Sequence, residues 1–409
     1  MAKSWRTVAA DLALAGSAIG IAIVAAEALG PLIARRLASP PAVTFYEESW
    51  RTVHFDPVIG YRLSGAPSRF LRYCDGRLEF EGVLRGNNHG FPDRDDFELA
   101  RADGSRTRVV VFGDSFSAGQ YLAVSWPDRI EDLARESDRG LETLNLSVDG
   151  GGLANWWSIL HRWALPGRLE ADLAVFAVFP GDLDRHFSLS DHRDTDRHLF
   201  ARVPSWDPGT YPQTPDDARD VLGPLAGFVV DRPTYEAALR GEISASVAAL
   251  EEPPPRFGTF LLTRLRRLLR SSDTRASDPD RHCSRSEWEP AQLRLVEEID
   301  RDLDALGLRR IVVFIGARED VVREPACDPV KERDFAERIH AEFFDGREMF
   351  SNLDAASRSA LFFPVDGHWN QRGSDTFARY LHARMDLLLP GAPVAAPPER
   401  ATAPTANPR

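Results

Sequence analysis

Lysine is nearly missing from this chain: Lys3 and Lys331 are the only two among 50 basic residues. Arginine carries the rest, a bias that follows genomic base composition and excludes no chemistry. Cysteine is scarce too. Cys74, Cys283 and Cys327 are too few in 409 residues to staple a disulfide-dense scaffold, and their spacing matches no zinc site. Acidic residues outnumber basic ones by 62 to 50, so the net charge is −12. With a pI near 5.4, that balance excludes nucleic acid as the main partner, which would require a basic face. The 29 Gly and 29 Pro accompany 43% hydrophobic and 27% charged residues, a globular balance. Such a length holds two or three domains, or one large domain with insertions.

A long apolar stretch lies near the N-terminus. Lys3 and Arg6 precede Leu12–Ala26, Glu27 interrupts, Ala28–Ala34 resumes the run, and Arg35 and Arg36 close it. The unbroken part has 15 residues, and residues 12–34 together make 23; a spanning helix needs about 20. The expectation is a signal anchor over residues 1–36. It would be a single transmembrane helix in a bacterial inner membrane, with the rest of the chain on the periplasmic or extracellular side. A cleaved signal peptide is the alternative, because Ala26-Glu27-Ala28 has the small-x-small form of a cleavage site. An exported chain can close a Cys283–Cys327 disulfide and leave Cys74 free; three reduced, buried cysteines are the other possibility.

Residues 37–44 read as a linker, and 37–106 together as linker plus an N-terminal extension packed on a main domain at 107–389. Four apolar runs in that domain, 108–112, 141–146, 172–179 and 310–316, read as buried strands. Helical patterns fall at 125–136, 154–163, 291–306, 332–343 and 374–389. Strands alternating with helices imply a parallel sheet covered on both faces. Sites on such sheets lie beyond the C-terminal ends of the strands. Residues 183–289 break the rhythm and read as a capping insertion, with helical stretches near 234–250 and 257–270. The Pro- and Ala-rich tail, 390–409, reads as disordered.

Three short motifs stand at strand ends. Gly113-Asp114-Ser115 follows the first buried run and can present a serine for nucleophilic attack. Asp366-Gly367-His368 precedes the last helix; the histidine can take the serine proton while the carboxylate fixes its tautomer. Asn145-Leu146-Ser147-Val148-Asp149-Gly150 ends the second strand, where a glycine turn can aim backbone N–H groups at an oxyanion. Against these readings stand plain turns and helix caps. His186, Asp191, His192, Asp194 and His198 cluster in the insertion, where a solvated polar loop is favoured over a metal site. Trp156, Trp157 and Trp369 suit a core better than a sugar-stacking wall.

In this order the motifs resemble those of the SGNH/GDSL hydrolase superfamily. Phe55-Asp56-Pro57-Val58-Ile59-Gly60-Tyr61-Arg62 and Asn88-His89-Gly90-Phe91 resemble the lead-in of its membrane-anchored bacterial members. The resemblance covers roughly residues 50–182 and 291–389. It implies a three-layer α/β/α fold with a central, flavodoxin-like parallel sheet. Ser115 would be the nucleophile, His368 the general base and then acid, and Asp366 its partner. The N–H groups of Ser115 and Gly150 would line the oxyanion hole. One block departs: where the family usually has Gly-Asn-Asp, this chain has Gly181-Asp182, without the asparagine donor. Asp182 would take its place, or Asn155 would substitute, or backbone amides would suffice. No cofactor or metal is implied. The expected substrate is an O-acyl ester, an O-acetyl group on an extracytoplasmic glycan foremost. O-acyl transfer to an envelope polysaccharide and a catalytically impaired glycan-binding or assembly protein are the alternatives.

Overall fold

The computed structural model describes residues 43–47, 52–74, 77–101, 106–192, 197–242, 284–285, 287–322 and 327–384. The expected anchor (1–36), the helical stretch at 257–270 and the tail (390–409) lie outside the described residues. Among the described residues no helix is long and apolar enough to cross a membrane.

The N-terminal extension forms β1 (Val43–Glu47), β2 (Val53–Asp56), β3 (Gly60–Leu63), β4 (Ser68–Cys74) and β5 (Arg77–Leu84). The main domain begins with β6 (Thr107–Phe112), β7 (Leu141–Asn145) and β8 (Leu173–Val178). The insertion adds β9 (Ser188–Asp191), β10 (Arg197–Arg202) and β11 (Gly223–Val230) before β12 (Arg309–Phe314) and β13 (Glu342–Asp345).

Five of these strands form a parallel sheet in the order β13-β12-β8-β6-β7. Side chains alternate across it, as strand geometry requires. Val109 and Val111 enter one core with Trp126, Ile130, Phe377 and Leu381 from the helices Trp126–Glu136 and Gln371–His382. Val110 and Phe112 enter the other, with Trp156, Ile159, Leu295 and Phe335 from helices on the opposite face. Both faces are thus covered, which is why β6 and β8 read as continuous apolar runs. Trp156, Trp157 and Trp369 are all core residues. Counted along the chain, the strands lie in the order second-first-third-fourth-fifth, the flavodoxin-like arrangement. Its reversal between β6 and β8 opens a crevice at their C-terminal ends.

The second sheet was not legible as a unit. It has six strands in the order β5-β4-β1-β11-β10-β9. β1 pairs in parallel with β11 and antiparallel with β4, so the extension and the insertion share one sheet. Val43 and Thr44, expected in a linker, are strand residues of β1. The expected helix 332–343 runs instead over Val330–Arg338. His340 then adopts φ 52°, and the chain turns into β13. The last helix starts at Gln371 rather than 374, because the Asn370 side chain caps it by accepting the Gly373 N–H.

Cys74 is free and buried, and Cys327 is disulfide-bonded. The partner expected for it, Cys283, lies outside the described residues.

Candidate active site

The strand β6 runs directly into Gly113-Asp114-Ser115. A Cβ at Gly113 would fall 2.3 Å from Ser117 Oγ, so the turn is drawn too tight for a side chain there. Ser115 opens a single helical turn, Ser115–Ala118. Asp114 caps that turn by accepting the Phe116 N–H at 2.9 Å. Its other oxygen accepts from Arg185 Nη1 at 3.0 Å. The nucleophile elbow is thereby tied to the loop after β8.

His368 arrives from the far end of the chain. A bridge between Phe362 and Trp369 fixes its backbone, and its ring packs on Phe116 and Tyr121 at centroid distances of 4.8 and 4.7 Å. Ser115 Oγ lies 2.7 Å from His368 Nε2. On the other side of the ring, Nδ1 is hydrogen-bonded to Asp366 Oδ1. The tautomer that satisfies both contacts has Nδ1–H donating to Asp366 and Nε2 accepting from the Ser115 hydroxyl. Burial works against a charged imidazole. The hydrogen bond and charge of Asp366, with Asp114 and Asp149 nearby, outweigh it and raise the His368 pKa above its ordinary value. Burial also penalises the Asp366 carboxylate, but His368 and Arg72 hold its pKa below the usual range.

Two residues that the sequence did not single out hold this loop. Arg72, on β4, donates from Nε to Asp366 Oδ2 at 3.1 Å and from Nη1 to Thr44 Oγ1 at 2.9 Å. Glu79, on β5, accepts the N–H groups of Val365 and Asp366 at 2.6 and 3.1 Å. A signal for their hairpin was available: Asp75-Gly76 separates two runs of strand-forming residues. Nothing local pointed to their target, almost three hundred residues away.

Gly150 adopts φ 69°, in the left-handed region that favours glycine. Its carbonyl accepts from Ser188 Oγ at 2.8 Å, and the neighbouring Asp149 N–H donates to Tyr61 Oη at 2.9 Å. The second sheet, through Ser188, and the separate β2–β3 pair, through Tyr61, therefore clamp the turn that carries the Gly150 amide. Asn145 is structural here, donating from Nδ2 to the carbonyls of Ser117 and Pro92.

Of the three alternatives for the missing donor, Asp182 does not take its place. It is fully buried, accepts the Phe179 N–H at 2.9 Å, and pairs with Arg185 at 2.6 Å. It does not line the cavity at Ser115. Burial drives its carboxyl above the usual range while Arg185 pulls the other way. Asn155 is committed as well: its amide donates to the carbonyls of Ile59 and Ser188, and its oxygen accepts the Ser188 N–H. Asp182→Asn is therefore expected to leave kcat flat and to cost about 1–3 kcal/mol of stability, by removing a buried charged partner of Arg185. Paired ester kinetics and thermal melts check this, and a hundredfold gain in kcat would contradict it.

The histidine cluster is not a solvated loop. His192 is fully buried, and His198 bridges Tyr46 Oη at 2.7 Å and Ser190 Oγ at 2.5 Å. His186 packs on Trp206 at 4.3 Å, and Asp191 is buried. Asp194 lies outside the described residues. Among the described residues no cluster could hold a metal ion.

Ser115, Gly150, Asp366 and His368 open onto a cavity of about 310 Å³ between the two sheets. Tyr121 and Gln120 also line it, and the Tyr121 hydroxyl is buried without a hydrogen-bond partner among the described residues.

No family model matches this chain, and no curated protein matches it. Solved structures similar to it include TesA, at 11% identity and TM-score 0.33, covering 69% of this chain and 100% of that one. Another is the lipase/acylhydrolase from Enterococcus faecalis, at 10% identity and TM-score 0.34, covering 69% and 96%. A third is a catalytic mutant of an acetylxylan esterase from Geobacillus stearothermophilus, at 10% identity and TM-score 0.34, covering 69% and 94%. The chemistry rests on the residues of this chain.

Proposed function

We propose that this chain is a serine ester hydrolase of the SGNH/GDSL type. One observation carries the proposal: Ser115 Oγ stands 2.7 Å from His368 Nε2 while Nδ1 is held by Asp366. In the first step Ser115 Oγ attacks the ester carbon and its proton passes to His368 Nε2. Asp366 stabilises the imidazolium that forms. The oxyanion is received by the N–H groups of Ser115 and Gly150. In this reading the two backbone amides form the hole without the absent asparagine donor. The C–O bond then breaks as His368 returns the proton to the departing alcohol. Water, activated by the same histidine, releases the acid and restores Ser115.

The disulfide at Cys327 supports an exported location, because such bonds persist in oxidising compartments. We accordingly place the site on the outer side of the inner membrane, held by the apolar N-terminal run, with an O-acyl group on an envelope glycan as substrate. Acyl transfer is a second reading, favoured by the cavity lining that the strands outside the parallel sheet add beside Ser115. A chromogenic ester assay with a serine-directed phosphonate tests the proposal. Turnover should cease as one phosphonyl group is added at Ser115. Full turnover after that labelling, or labelling elsewhere, would sink it. Supplying a glycan acceptor and following ester transfer against acid release separates hydrolase from transferase.

A further inference from the structure

Six apolar side chains wall the cavity beside Ser115: Val53, Leu63, Phe70, Phe80, Leu84 and Phe200. All six come from β2–β5 and β10, and none from the parallel sheet that carries the nucleophile. The pocket is therefore an addition made by the extension and the insertion. At about 310 Å³ it has room for roughly ten water-sized groups of about 30 Å³ each. An acetyl group, with three non-hydrogen atoms, would leave most of that apolar space unfilled.

The triad, its Arg72 partner and the side chains of Gln120 and Tyr121 apart, the remaining polar groups around the cavity are either exposed or already paired. Asp149 and Arg202 line it and are exposed to solvent. Thr44, Ser190 and His198 line it from the second sheet, and their hydrogen bonds are already made to Arg72, Leu199, Tyr46 and one another. The interior thus offers mostly apolar surface and no uncommitted charge, since Arg72 and Asp366 pair with each other, whereas Asp149 and Arg202 face water. A hydrophilic alcohol belongs at the charged, solvent-facing side, and the apolar part of the ester belongs within.

Resting on the esterase reading, we infer that the pocket takes an uncharged acyl group of about eight to ten non-hydrogen atoms, not acetyl. Each further methylene that enters such a pocket is worth about 0.8 kcal/mol, roughly fourfold in kcat/KM. Over the six methylenes between acetyl and octanoyl, the gain should reach at least about a hundredfold even with imperfect burial.

The test is a series of 4-nitrophenyl esters from acetyl through butanoyl and octanoyl to hexadecanoyl, given to the full-length chain and to Leu63→Trp. The wild type should turn over octanoate best. Leu63→Trp should lower the octanoyl-to-acetyl ratio at least about tenfold, as loss of space for two or more methylenes implies. That ratio does not depend on how much protein is folded; if Leu63→Trp yields none, Leu84→Phe takes its place. A maximum at acetyl, or an unmoved ratio, overturns the inference. Ser115-dependent turnover confined to acetyl would remove this inference and leave the esterase reading intact. No Ser115-dependent turnover of any ester would remove both.

Discussion

Ser115→Ala is expected to lower kcat on a chromogenic ester by about a thousandfold or more, and to leave the fold unchanged. The magnitude follows from how a triad works: without the nucleophile, histidine and aspartate have nothing to activate, and what remains comes from the oxyanion donors and binding. The side chain is small and its helical turn is capped by Asp114 rather than by Ser115 itself, so a methyl group fits the same backbone. Circular dichroism and melting temperature should match the wild type. A variant that keeps more than about a tenth of the activity would show that the attacking group lies elsewhere, since loss of a triad nucleophile costs orders of magnitude more.

Asp366→Asn is expected to cost about ten-thousandfold in kcat while the geometry persists. Arg72 donates to Asp366 Oδ2, so the amide of an asparagine would turn its oxygen toward Arg72 and its NH2 toward His368. His368 Nδ1 must then accept a hydrogen bond from that NH2, which places the ring proton on Nε2. That nitrogen can no longer accept from Ser115 Oγ. The pH profile supplies a second readout. His368 acts as a base only when neutral, so activity rises as pH climbs through its pKa. In the wild type that pKa is raised: burial lowers it, and Asp366, Asp114 and Asp149 more than compensate. Removing the Asp366 charge should shift the rising limb to lower pH in the residual activity. A limb that stays in place would mean that His368 titrates independently of Asp366, against their contact.

The same contacts explain how the site depends on the extension. Arg72 and Glu79 position Asp366 through its carboxylate and its backbone N–H. Their roles differ in kind from that of Asp182, one of the three alternatives for the missing oxyanion donor. Arg185 decides the matter. Three residues after Asp182, it pairs with that carboxylate and with Asp114 at once.

What the sequence alone determined is local. Continuous apolar runs such as Arg108–Phe112 and Asp172–Phe179 mark buried parallel strands, because residues on both faces must be apolar when helices cover both. Gly113-Asp114-Ser115 and Asp366-Gly367-His368 announce their chemistry because each motif is short and its residue types are few. Tertiary structure alone decided the rest. The six-stranded sheet joins β1 to β11 across some 180 residues of chain, and neither strand carries a pattern that names its partner. The grip of Arg72 on Asp366, the diversion of Asp182 to Arg185 and the apolar pocket behind Ser115 have the same origin. Each arises where side chains from distant segments meet. Hydrogen bonds and packing between such segments depend on distance in space, which no local periodicity records.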